Sequence, residues 1–322
     1  MVGWFVPWHT RKMSLSWAVA AALLWIAVEA DGARAADPFF GVRKLLEAEG
    51  CAPPSLEMVF SDMGHPVYAN VALSMKVRES ALNYDAFLEP AVLARARDFW
   101  NTYEEPLHRI GSTYGVDPSV IVAILLVETR LGENTGTHPV ATTLATFALM
   151  LDPAERDRVW RMLPESDRAR WTRSGFDAKL QQRASWALRE LQALLTLVEK
   201  GYTDAARWRG SYMAAVGWPQ FLPSSLLLYG ADGDGDGLVD LYAPPDAFAS
   251  IARYLKANGW KNDAPWDQQE KVIRRYNNSR PYAETILKAA RRLRESRAAA
   301  AQEPAPHGAP VVEAPAARET SS

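Results

Sequence analysis

Sulfur chemistry is almost missing from this chain, whose 322 residues include one cysteine, Cys51. A lone thiol excludes an internal disulfide framework and any zinc site built on cysteines. Histidine is scarce as well, and the residues at 9, 65, 108, 138 and 307 show no ligand spacing. Neither sign of charge is in excess: the formal net charge is -2, so no global basic field points to nucleic acid. Strand-like alternation is sparse, and no internal repeat is visible. What remains for chemistry is carboxylates, hydroxyls, amides and aromatic rings, with no organic cofactor expected. Hydrophobic residues make up 48% of the chain, enough for a substantial core and one or two domains, mainly α-helical.

The first 35 residues read as a signal peptide. Arg11 and Lys12 form a basic region, Leu15 to Val28 a short apolar core, and Ala33-Arg34-Ala35 a small-x-small cleavage site before Ala36. The apolar run is too short to span a bilayer comfortably. The expected product is exported and soluble, without an integral membrane span once the signal is removed; an uncleaved N-terminal anchor is the alternative. At the other end, residues 298–322 are rich in Ala, Pro and Glu and read as a disordered tail, available as a tether for envelope partners.

Between these ends the spacing predicts helices. One spans Pro38 to Gly50, and short helices or turns fill Pro53 to Leu88. A single amphipathic helix runs from Pro90 through Leu107, a buried one covers Val140 to Leu151, and a long one covers Leu180 to Lys200 before Gly201. Residues 152–179 carry both charge signs densely and read as a solvated, partly helical excursion.

The most informative stretch is Gly115 to Gly136. Asp117 suits a helix N-cap and Pro118 the first helical position. Val120 to Val127 are apolar without interruption, so this helix must be buried, and Gly132 can stop it. Glu128 follows in the last turn. Loss of water and the negative end of the helix dipole both favour its neutral form, which suits an acid that donates to a leaving oxygen. The residues alone leave open an exposed glutamate paired with Arg130 or Arg109.

Further on, Asp232, Asp234 and Asp236 alternate with glycines in the D-x-D-x-D-G opening of a calcium loop, with Leu238 offering its carbonyl at the seventh position. Position twelve is Ala243, and the next carboxylate is Asp246, three residues later. A flexible acidic turn is the alternative, but closely spaced aspartates repel one another without a cation. The metal, if bound, is structural.

Glu128-Thr129-Arg130-Leu131-Gly132, the stretch Gly210 to Ser225 (GSYMAAVGWPQFLPSS), the aspartate loop, Ala252 to Trp260 and Arg275-Tyr276-Asn277 together resemble the membrane-bound lytic transglycosylase B family of peptidoglycan-cleaving enzymes. The resemblance runs from about Phe87 to Leu293, within a catalytic region expected over 36–297. It implies a lysozyme-like helical fold with an EF-hand-like calcium loop and few short strands, in a periplasmic enzyme acting on glycan strands. Glu128 would be the sole acid and base in cutting the β-1,4 bond between N-acetylmuramic acid and N-acetylglucosamine, leaving a 1,6-anhydro sugar. A hydrolytic muramidase and a non-catalytic peptidoglycan-binding protein are the alternatives. By the same resemblance Ser211, Gln220, Tyr254, Tyr276, Asn277, Tyr282 and Arg183 contact substrate, and Asp232, Asp234, Asp236, Leu238 and Asp246 hold Ca2+. The sequence departs from the family at Gln182, where an arginine is usual, at Leu131, usually aromatic, at Pro219, often glycine, and in an insertion over 152–179.

Overall fold

The computed structural model describes residues 37–77 and 82–302, so the expected signal peptide and residues 303–322 of the expected tail lie outside the described residues. The chain folds into α1 (Phe40–Ala48), α2 (Pro53–Phe60), α3 (Tyr68–Lys76), a 3-10 turn (Tyr84–Leu88), α4 (Pro90–Thr102), α5 (Glu104–Tyr114) and α6 (Pro118–Thr129). It continues with α7 (Val140–Ala148), α8 (Pro153–Met162), α9 (Glu165–Arg168), α10 (Arg173–Glu199), α11 (Pro223–Tyr229), α12 (Pro244–Ala257), α13 (Trp266–Tyr276) and α14 (Arg280–Gln302). Two short strands, β1 (His138–Pro139) and β2 (Arg209–Gly210), pair antiparallel with His138 opposite Gly210.

Helix α6 forms as its sequence dictates. The Asp117 carboxylate accepts from Ser119 N at 2.8 Å, Pro118 occupies the first position, and Val120 to Leu126 are buried all round. A first core gathers about it from α4, α5, α12, α13 and α14. A second core forms around α10 from α1, α2, α3, α7 and α8. Trp186, Tyr202 and Trp208 pack against both. The segment Gly210 to Phe221 threads this seam, giving Ala215 and Phe221 to the first core and Met213, Ala214 and Val216 to the second.

Three expectations change. The single helix from Pro90 to Leu107 is two, α4 and α5, meeting at Tyr103 (φ -110, ψ 29). Pro106 explains the break: its ring would clash with the carbonyl four residues back if the helix continued. Residues 152–179 are not a merely solvated excursion. Val159, Leu163 and Phe176 are buried in the second core, and the long helix begins at Arg173, where the Thr172 hydroxyl accepts from Gly175 N at 3.1 Å. Finally, α14 runs to Gln302, past the expected boundary at 297.

Candidate active site

Glu128 lies in the last turn of α6, and the backbone turns sharply behind it. Arg130, Leu131 and Gly132 all take left-handed φ angles (53°, 66° and 91°), which stops the helix one residue after Thr129. Thr129 fixes this turn. Its hydroxyl accepts from Gly132 N at 3.0 Å and donates to Trp218 O at 3.1 Å, tying the turn to the Gly210 to Phe221 segment.

The Glu128 side chain is 7% exposed and sits in a pocket of about 140 Å³. The pocket is lined by Val127, Asn277 and Tyr282 and by Leu82, Asn83, Tyr84 and Phe87. The Tyr282 hydroxyl donates to Glu128 Oε1 at 2.5 Å, and the Tyr84 ring stands edge-on to Tyr282 at 6.3 Å. Burial pushes the Glu128 carboxyl up to about 7 from its ordinary 4.5, while the hydrogen bond from Tyr282 opposes the shift. The bare reading of an exposed glutamate paired with an arginine does not hold. Near neutrality this group is shared between its acid and base forms, the condition general acid–base chemistry requires. Among the described residues Glu128 is the only carboxylate lining the pocket.

Because Tyr282 favours the charged form of Glu128, Tyr282→Phe should raise the Glu128 pKa. The alkaline limb of the kcat/KM profile should move up by about one unit, as a pH-rate series would read directly.

The other residues assigned from sequence occupy distinct places. Tyr276 is fully buried, its hydroxyl donating to Pro219 O at 2.5 Å, and its ring lies 4.9 Å from Tyr254. Tyr254 is buried beside it, with a hydroxyl that has no hydrogen-bond partner among the described residues. Gln220 adopts a left-handed backbone (φ 52) and donates from Nε2 to Thr135 O and Gly217 O, both at 3.0 Å; its Oε1 is buried and unpartnered. The Ser211 hydroxyl accepts from Ala215 N at 3.0 Å and so shapes the turn. Arg183 is placed differently from the expectation of a substrate contact. Its guanidinium donates to Ser74 Oγ at 2.6 Å and Ser74 O at 3.1 Å, pinning α3 to α10. Burial lowers its pKa to about 10.

The wall formed by Leu82 to Phe87 was missed from sequence. The 3-10 turn Tyr84–Leu88 is too short to show a periodicity, and the aromatic pair Tyr84 and Phe87 just before the α4 proline is the one usable signal.

At the aspartate loop, ligand oxygens of Asp232, Asp234 and Asp246 come within 4.8 Å of one another. Asp232 accepts from Gly235 N and Gly237 N, which holds its pKa below the ordinary value. Buried Asp246 accepts from Gly233 N at 2.7 Å and Asp240 N at 2.6 Å, closing the loop across its base. Asp236 stands apart from the converging group and accepts from Leu238 N at 2.8 Å; Leu238 is exposed. An all-oxygen donor set of this kind fits a hard divalent cation.

Membrane-bound lytic murein transglycosylase B of Escherichia coli (strain K12) is 32% identical over 174 residues, 54% of this chain and 40% of that protein. The match therefore spans less than half the length of that relative. Among solved structures, SltB3 from Pseudomonas aeruginosa in complex with NAG-anhNAM-pentapeptide superposes with a TM-score of 0.63 at 21% identity, covering 80% of this chain and 79% of that one. Escherichia coli lytic transglycosylase Slt35 in complex with calcium does so with a TM-score of 0.53 at 22% identity, covering 87% and 94%. The mainly helical, lysozyme-like fold is thus as expected. Residues 36–272, most of the chain and the whole stretch from α1 to the middle of α13, match the family described as Transglycosylase SLT domain, and the protein belongs to that family.

Proposed function

We propose that this protein is a peptidoglycan lytic transglycosylase that cuts the β-1,4 bond between N-acetylmuramic acid and N-acetylglucosamine, with Glu128 as its single acid and base. The observation that carries this reading is a buried glutamate held near neutral pKa as the only carboxylate, among the described residues, of its pocket. The usual two-acid glycosidase needs a second carboxylate to activate water or attack the sugar. With one acid, Glu128 gives its proton to the leaving glycosidic oxygen. The resulting carboxylate then takes the proton of the muramic acid 6-hydroxyl as that oxygen bonds to C1, closing the 1,6-anhydro ring. No water is consumed. Asn277 offers amide groups to acetamido and hydroxyl groups at the pocket wall, and Tyr84 and Phe87 offer flat faces to a sugar ring.

Digestion of murein sacculi followed by mass spectrometry of the products tests this. Anhydromuropeptides are expected; reducing-end muropeptides would replace the reading with a hydrolytic muramidase, and intact sacculi with a binding protein. The expected compartment is the periplasm, where sacculi lie. Among the described residues no single helix is long and apolar enough to cross a membrane.

We further propose that Asp232, Asp234 and Asp246 hold a structural calcium ion, as supported by their convergence and by the calcium complex of Slt35. The ion would cancel the mutual repulsion of the carboxylates. Calcium at about a hundred times its Kd should add about 2.7 kcal/mol of stability. Differential scanning fluorimetry with chelator and then excess calcium should show the melting temperature fall by several degrees and recover. A melting curve indifferent to both would remove the ion from the loop.

A further inference from the structure

A second pocket opens at the seam between the two cores. It shares no residue with the Glu128 pocket and, at about 290 Å³ against about 140 Å³, is roughly twice its size. Its walls include three half-buried aromatic rings, Tyr202, Trp208 and Tyr242. Two exposed carboxylates, Asp204 and Asp240, stand among them. The site is built. Tyr202 and Trp208 meet edge to face at 5.9 Å, and Trp208 Nε1 donates to Asp204 Oδ2 at 3.1 Å. Asp240 Oδ1 accepts from Tyr242 N at 2.8 Å, and the Tyr242 hydroxyl donates to the carbonyl of Arg209. Burial raises the pKa of the Tyr242 phenol, and both carboxylates, which line the same pocket, add to the rise.

Neither carboxylate forms an ion pair with a described lysine or arginine, although Arg207 lies on the same turn as Asp204. The pocket therefore combines negative charge without a cationic partner and aromatic rings whose negative faces attract cations. An anion is repelled there. A compact alkylammonium ion satisfies both features, its apolar stem against Leu226 and Val216 and its charged head between rings and carboxylates. We propose that this pocket binds an alkylammonium group, either a free amine or a lysine-type side chain carried on a peptide. The proposal does not depend on the glycan chemistry assigned to Glu128. The pocket touches both functional regions: Asp240 N donates to Asp246 at the base of the aspartate loop, and Leu241 O accepts from Trp218 N at 2.8 Å.

The test is an indole 1H–15N NMR titration of the full chain in calcium-containing buffer, with the Trp208 signal assigned by its loss in Trp208→Phe. The probes are n-butylammonium and Nα-acetyl-lysine methylamide, with Nα-acetyl-norleucine methylamide as the uncharged control. Saturable movement of the Trp208 signal with the two cations and none with the norleucine amide is expected. A tighter lysine amide points to a peptide-borne source, and equal affinities point to a free amine. Asp204→Asn combined with Asp240→Asn should weaken binding at least about tenfold. Asp204→Asn alone, on an exposed turn, should act in the same direction should the double variant melt early. Equal binding of the norleucine amide, saturation by N-acetylglucosamine in place of the amines, or undiminished affinity in the aspartate variants would overturn the proposal.

Discussion

Glu128→Gln should reduce lysis of sacculi by about 10³-fold, the scale at which one positioned acid and base contributes, while making the folded protein more stable above neutral pH. The two effects have one origin. In the folded chain Glu128 holds its proton to a pH of about 7, whereas its ordinary value is 4.5. The stability linked to that bound proton is fully present below pH 4.5 and is lost as pH rises through 7. The difference between the two values corresponds to about 3 kcal/mol by pH 8. Glutamine keeps the shape and has no proton to lose. Melting temperatures of variant and wild type should therefore coincide near pH 4 and separate by several degrees at pH 8, with the variant higher. A variant that melts with the wild type at every pH would mean that Glu128 ionises as freely in the folded chain as in the unfolded one. A variant that lyses sacculi at the wild-type rate would remove Glu128 from the chemistry.

Gly136→Ala should be among the most damaging single-methyl changes in the molecule. Its backbone is left-handed (φ 91), and a Cβ would lie 2.2 Å from the carbonyl carbon and oxygen of Gly210. Those atoms are main chain and cannot swing aside. Gly259 is a matched control, since it has a similar φ of 88 and nothing within 4 Å of an added Cβ. Gly259→Ala should cost about 1 kcal/mol, the strain of the left-handed backbone alone, and Gly136→Ala about 4 kcal/mol. Urea denaturation of both variants separates the two contributions. The damage at 136 also reaches the site, because the adjacent Thr135 carbonyl anchors the Gln220 amide. Activity in Gly136→Ala should therefore fall even at temperatures where the protein remains folded, and should not in Gly259→Ala.

How much could be read from sequence follows from the range of the interactions. The burial of Glu128 was legible because an unbroken apolar run from Val120 to Val127 admits only a buried helix. The convergence of Asp232 and Asp234 was legible because alternate carboxylates and glycines fix a local turn. Contacts between distant residues were not. Tyr282 meets Glu128 across 154 positions; resemblance to a family placed Tyr282 in the substrate groove, but nothing in the spacing paired it with the acid. Asp152 to Lys179 looked solvated because charges outnumber apolar residues, yet Val159 and Leu163, one helical turn apart, suffice with Phe176 to seat it in the second core. Arg183 shows the limit of carrying a role over by motif. The residue matches, but in this chain its guanidinium is engaged by Ser74 on α3.

The hydrogen bond between Tyr282 and Glu128 also sets an order of assembly. The phenol that tempers the acid arrives only with α14, the last described helix, and so do Ala283, Ile286 and Leu287, which complete the core around α6. A polypeptide ending before residue 282 therefore lacks both the dry surroundings that raise the Glu128 pKa and the hydroxyl that opposes the rise. The surroundings of this acid are thus completed by the docking of the final described helix.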